Sequence, residues 1–197
     1  AAKPLLLLSL RDGRSLQLII DAGLAIAADQ LAQIPEFRAK YEDTDNGVIN
    51  FAAYMNMVGR NATAQIYDYL YPWMTAEEQA TFREVLSLST KQTTSHGMWY
   101  APSGWGMVNF TPWWTGNLLP NICAIEGEDG FAPVVLEEAM LAMHRFYTYG
   151  FQPDGSPGEG MGKNALGAHV LVLLAKRGMD ALAYENVYNH VRKYLLH

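Results

Sequence analysis

The sequence predicts an all-α protein built from helical hairpins, and three observations carry that prediction. Apolar residues recur at helical spacing along most of the chain. The breaks between these stretches fall at Gly, Pro and Asp/Asn turn signals that are only a few residues long. No stretch of comparable length alternates with a period of two. The 197 residues are half apolar, with 12% aromatic and 17% charged, enough for one domain with a hydrophobic core.

The first helix is expected over Ser15 to Gln33, where Leu16, Ile19, Ile20, Leu24, Ile26, Ala27 and Leu31 approximate one face and Gly23 interrupts it. Asp43-Thr-Asp-Asn-Gly47 reads as a loop. The second helix is expected over Phe51 to Tyr71, with Tyr54, Met57, Val58, Ala62, Ile66, Tyr69 and Leu70 along it. Pro72 ends it, because the ring cannot continue a helix interior. Thr75-Ala-Glu-Glu78 is a capping box that opens the third helix, running to about Gln92 with Phe82, Val85, Leu86 and Ser89 on one face. Two helices joined by Tyr71-Pro-Trp-Met74 form a hairpin.

Ser95 to Pro112 breaks this pattern: Gly97, Gly104, Gly106, Pro102 and Pro112 alternate with Trp99, Tyr100, Trp105 and Phe110. Long ordered loops are commonly functional. Helical spacing returns from Trp113 to about Glu126, then turns at Gly127-Glu-Asp-Gly130. Pro133 suits the first turn of the next helix, which runs to about Tyr149. Gly150 to Gly162 is a loop with a turn at Gln152-Pro-Asp-Gly155. Asn164 to Lys176 and Ala181 to Leu196 form a last hairpin across Arg177-Gly178.

Composition narrows the function. A formal net charge of −6 excludes a broad nucleic-acid-binding face, and an anionic ligand would need a locally basic cleft. Cys123, the single cysteine, cannot form an internal disulfide or a cysteine metal cluster and reads as a small buried apolar residue. No run approaches the roughly 20 apolar residues that span a bilayer, so no membrane partner is expected. Lys3 and Leu5 to Leu8 resemble the start of a signal peptide but lack a cleavage pattern and read as a helix face. His and carboxylate residues do not recur at metal-ligand spacing. Gly158-Glu-Gly-Met-Gly lacks the strand a phosphate loop requires, so no metal or cofactor is expected.

Three stretches, in order, resemble the helical domain of heparinase II/III-type polysaccharide lyases. They are Gln65-Ile-Tyr-Asp-Tyr-Leu-Tyr-Pro with Met74-Thr-Ala-Glu-Glu-Gln, then Asn109-Phe-Thr-Pro-Trp-Trp-Thr-Gly-Asn117 with Glu126-Gly-Glu-Asp, then Gly150-Phe-Gln-Pro-Asp-Gly-Ser-Pro-Gly-Glu-Gly160. The resemblance covers roughly Tyr54 to Lys176. It implies an incomplete (α/α) toroid, here as a single helical unit over 1–197. The family's β-sandwich domain has no room in this length and would be a missing partner. It also implies a periplasmic or secreted bacterial protein acting on, or binding, an acidic polysaccharide.

Such lyases cleave beside a uronic acid by β-elimination. The substrate carboxylate must be neutralised, a base must take the adjacent proton, and an acid must protonate the departing oxygen. By resemblance, Asn109 is the candidate neutraliser, since its amide can donate to a carboxylate; Asn also caps helices and turns. His96 and Tyr100 are candidate acid and base, against the plain alternative of surface loop residues. Trp105, Trp113, Trp114 and Asn117 are candidate sugar contacts. Adjacent Trp113 and Trp114 point in different directions on a helix, so one of them belongs to the core. Glu159 can bind a sugar hydroxyl or act as a helix N-terminal acid.

The third stretch departs from the family, whose pattern ends in Gly-Pro-Gly-Tyr with a catalytic tyrosine; here it reads Gly160-Met-Gly-Lys163. Lys163 can accept a proton only if its surroundings lower its pKa by about 3; otherwise it attracts a polyanion. Two further readings stay open: a non-catalytic glycan-binding toroid, and a glycoside hydrolase needing two acids across a cleft, for which Asp154 and Glu159 share one loop.

Overall fold

The computed structural model describes residues 13–43, 48–49, 62–93, 119–157 and 168–195. Among them the architecture is almost entirely helical, as the periodicity predicts. Helix α1 spans Gly13–Tyr41, further than the expected end at Gln33. It passes through Pro35, whose ring removes one amide donor. Glu36, Arg38, Ala39 and Lys40 beyond it are strong helix formers, which favour resuming the helix.

Strands β1 (Glu42–Asp43) and β2 (Val48–Ile49) pair antiparallel, Glu42 opposite Ile49 and Asp43 opposite Val48. Asp43, expected in a loop, thus belongs to a two-residue ladder. Among the described residues this is the only sheet, apart from a single isolated bridge.

Helix α2 is Ala62–Leu70; the expected residues Tyr54, Met57 and Val58 lie outside the described residues. Its buried face is Thr63, Ala64, Tyr67 and Leu70, whereas Ala62 and Tyr69, expected along the apolar face, are exposed. The inward register is one that a tyrosine can fill, because the Tyr67 hydroxyl finds a carboxylate at Glu128 (2.6 Å) while its ring is buried. Tyr71–Trp73 form a 3₁₀ turn containing Pro72, and helix α3 follows at Ala76–Thr93.

The capping box forms as predicted. The Glu78 carboxylate accepts from the Thr75 amide (2.6 Å) and hydroxyl (2.9 Å), and the Thr75 hydroxyl accepts from the Glu78 amide (3.3 Å). These bonds satisfy helix-start amides that have no intrahelical acceptor. Phe82, Val85 and Leu86 are buried; the side chain of Ser89 lies outside the described residues.

Residues 119–124 are helical and break into turns at 125–130, slightly before the expected end at Glu126. Gly127 (φ 81°) and Gly130 (φ 90°) take the left-handed conformations the turn requires. Helix α4 is Pro133–Tyr149, with Pro133 in its first turn. Helix α5 is Ala168–Lys176; the expected start at Asn164 is outside the described residues. The last helix begins later than Ala181: Ala181–Ala183 is a 3₁₀ turn capped by Asp180, and α6 is Glu185–Leu195.

Among the described residues two apolar clusters result. Leu16, Ile20, Ala64, Tyr67, Leu70, Met74, Phe82, Leu86 and Ile125 bind α1, α2 and α3 together. Leu119, Ala139, Met143, Phe146, Tyr147, Phe151, Val170, Leu174, Ala181 and Val187 do the same for α4, α5 and α6. Leu119 enters one cluster and Ile125 the other, so the short 119–125 segment is rooted in both.

By length and mean hydropathy (1.2), Gly13–Gln33 is long and apolar enough to cross a membrane, which amends the reading that no run approaches that length. A core helix meets the same criterion, and Leu16, Ile20 and Ala27 of this stretch are buried in the fold.

Candidate functional site

The residues predicted to carry chemistry fall in two segments. His96, Tyr100, Trp105, Asn109, Trp113, Trp114 and Asn117 lie within 94–118, and Glu159 and Lys163 within 158–167. Both segments are outside the described residues. The frame on either side of them is described. The first segment runs from the end of α3 to the 119–124 helix, and the second from the 150–157 loop to α5.

Three polar clusters stiffen that frame. In the first, Glu128 Oε2 accepts from Tyr67 Oη (2.6 Å) and from Arg83 Nη1 (3.2 Å), tying α2 and α3 to the 125–130 turn. Burial, and then the bond to Glu128, push the Tyr67 phenol above its ordinary pKa. A phenol so held stays protonated and is no general base near neutrality.

In the second cluster Arg177, in the turn after α5, donates to both oxygens of Glu126. This holds the Glu126 carboxyl below its usual range. Beside them, burial raises the Cys123 thiol to about 11. It is therefore an unreactive thiol. Cys123 is partly rather than fully buried, less enclosed than the sequence reading had it.

The third cluster joins the 150–157 loop to α6. Phe151 and Pro157 form a bridge across the loop, Gln152 N donates to Ser156 O (2.7 Å), and Gly155 N donates to Gln152 O (2.8 Å). The predicted turn is thereby formed, with Gly155 at φ 82°. One face of α6 grips it. Asn186 Nδ2 donates to Thr148 O (3.2 Å) and Phe151 O (3.4 Å), and Asn189 Nδ2 to Pro153 O (2.9 Å). His190 Nδ1 meets Gly155 O at 2.8 Å, and because a carbonyl only accepts, that nitrogen carries the proton. Lys193 Nζ reaches Asp154 Oδ2 (2.9 Å) and Ser156 Oγ (2.8 Å). The spacing 186, 189, 190, 193 is one face of a helix.

Asp154 also accepts from the Ser156 amide (2.9 Å). Lys193 first, and Ser156 second, lower its pKa to about 2. A glycosidase general acid needs the opposite shift, so Asp154 does not fit that role. His144, placed within a helix by the sequence, is on α4, exposed, with Nδ1 2.7 Å from Tyr184 Oη. Among the described residues, no group of three His, Cys, Asp or Glu is arranged to hold a metal ion.

In the sequence His190, Arg83 and Lys193 carry no functional signal of their own, and Arg177 reads only as part of a turn. The spacing of the α6 residues is a signal that could have marked a polar helix face; its partner, a loop more than thirty residues earlier, leaves no local signal. No protein-family model matches this chain, and neither the curated proteins nor the solved structures contain a match to it.

Proposed function

We propose that this chain is the helical domain of a polysaccharide lyase of the heparinase II/III type, an incomplete (α/α) toroid that cleaves or binds uronic-acid-containing polysaccharide. The observation that carries the reading is the order of the three resembling stretches along the sequence. A helical hairpin across Tyr71–Met74, a turn at 127–130 and a turn at 152–155 support it, since each coincides with one of those stretches.

In this reading Asn109 neutralises the substrate carboxylate, and His96, Tyr100 or Lys163 moves the proton. Trp105, Trp113, Trp114, Asn117 and Glu159 hold the sugar chain. A periplasmic or secreted location accompanies it. The test is ultraviolet detection of the unsaturated uronate that elimination creates, with heparan-, chondroitin- and alginate-type polysaccharides as substrates. Turnover that Asn109→Ala sharply reduces without unfolding the protein supports the assignment; turnover indifferent to that substitution removes it.

A second reading, glycan binding without turnover, is favoured by Lys163 standing where the family carries its catalytic tyrosine. Saturable glycan binding with no ultraviolet product would select it. In the hydrolase alternative the Asp154–Lys193 ion pair, which keeps that carboxylate ionised, leaves Asp154 unsuited to the general-acid role and fitted only to that of base or nucleophile.

A further inference from the structure

We propose that Lys193 is a specificity-determining residue: it cancels the charge of Asp154 on the 150–157 loop, so that the loop can lie beside an anionic glycan. This rests on the glycan-binding reading above, in which the loop belongs to the sugar-contacting stretch.

The geometry supports a fixed, neutral loop. Lys193 contacts both Asp154 and Ser156, while Ser156 returns two bonds to the same carboxylate, from its amide and its hydroxyl (2.9 Å each). Asn189 and His190 hold the carbonyls on either side of Asp154, at Pro153 and Gly155. Gly155 lies against α6 so closely that a Cβ there would collide with the backbone amide nitrogen of His190. The backbone on both sides of Asp154 is therefore held against α6.

Asp154 remains exposed, its side chain 63% accessible. An approaching uronate would meet an uncompensated negative charge were the lysine absent. In a protein of net charge −6, neutralisation of this kind removes one local repulsion that a polyanion would otherwise meet.

The experiment measures binding of uronate oligosaccharides and of a neutral oligosaccharide to the full chain by intrinsic tryptophan fluorescence. The proteins are the wild type, Lys193→Met, Asp154→Asn and the double variant. Lys193→Met should weaken uronate binding about three- to tenfold at low salt, less at high salt, with the neutral oligosaccharide unchanged. Asp154→Asn should not weaken uronate binding, and the double variant should recover most of the loss. A purely structural tie predicts instead that both single variants weaken every ligand and that the double variant recovers nothing, which overturns the proposal. Unchanged uronate binding by Lys193→Met overturns it equally. A wild type that binds no glycan sinks the underlying functional reading, and this inference falls with it.

Discussion

Gly23 of α1 lies so close to Phe82 of α3 that a Cβ at position 23 would stand 2.7 Å from the tip of the phenyl ring and 3.1 Å from two carbons of Ile66. In sequence this glycine looks like a flaw in the helix. In the structure it is where three helices meet. Gly23→Ala gains about 1 kcal/mol of helix propensity but overpacks a buried contact, which costs about 1–3 kcal/mol. The expected outcome of denaturant unfolding is a lower midpoint, partly restored when Phe82→Leu is added. A raised midpoint for Gly23→Ala alone would show that the ring yields freely.

Thr75 and Glu78 close the start of α3 reciprocally, so removal of the hydroxyl should be felt directly. Thr75→Ala should lower unfolding stability by about 0.5–2 kcal/mol, while Thr75→Ser should retain most of it. Equal stability for all three proteins would mean that water replaces the cap at no cost.

Tyr67 gives a pH signature. Its folded pKa is raised, by burial first and by Glu128 second, so the stability it contributes is complete below its unfolded pKa of about 10. That contribution is lost as pH rises towards the elevated folded value. Tyr67→Phe should cost about 1–2 kcal/mol at neutral pH through the lost bond to Glu128 and should flatten the alkaline decline. An alkaline limb that stays equally steep would assign it to other groups, among them Tyr147, which burial also raises.

The acid side belongs in part to Asp154. Its lowered pKa means that the loop tie is complete above about pH 4, the unfolded value, and is lost as pH falls through about 2. Proton release from Asp154, followed by NMR, should shift upward in Lys193→Met. No shift would mean that the Ser156 bonds alone depress the carboxyl.

Gly155 should tolerate no side chain. Its φ of 82° disfavours any L residue by about 1–2 kcal/mol, and the Cβ would collide with the backbone of α6. Gly155→Ala should therefore loosen the loop from α6, seen as faster amide hydrogen exchange at Ser156 and along α6. Wild-type exchange rates in that variant would contradict the close approach.

Local signals were legible in the sequence wherever a few neighbouring residues determine the outcome. Thr75 and Glu78 define a cap three residues apart, Pro133 suits a first helical turn, and Gly127, Gly130 and Gly178 supply positive φ at turns read from sequence. What failed depended on distant partners. The inward register of α2 turns on Tyr67 reaching Glu128, and the late start of α6 on Asp180 capping a 3₁₀ turn first. Likewise, the role of His190 and Lys193 depends on a loop remote in sequence. The candidate chemical residues from His96 to Asn117, with Glu159 and Lys163, lie outside the described residues, so their roles rest on the resemblance alone.

The most direct test of the account is a tryptophan fluorescence titration of the folded chain with uronic-acid oligosaccharides, beside neutral ones. A uronate-binding domain should give a saturable change with the uronate ligands, diminished by Trp113→Ala or Trp114→Ala. A flat titration across the whole panel, with the protein demonstrably folded, would contradict it.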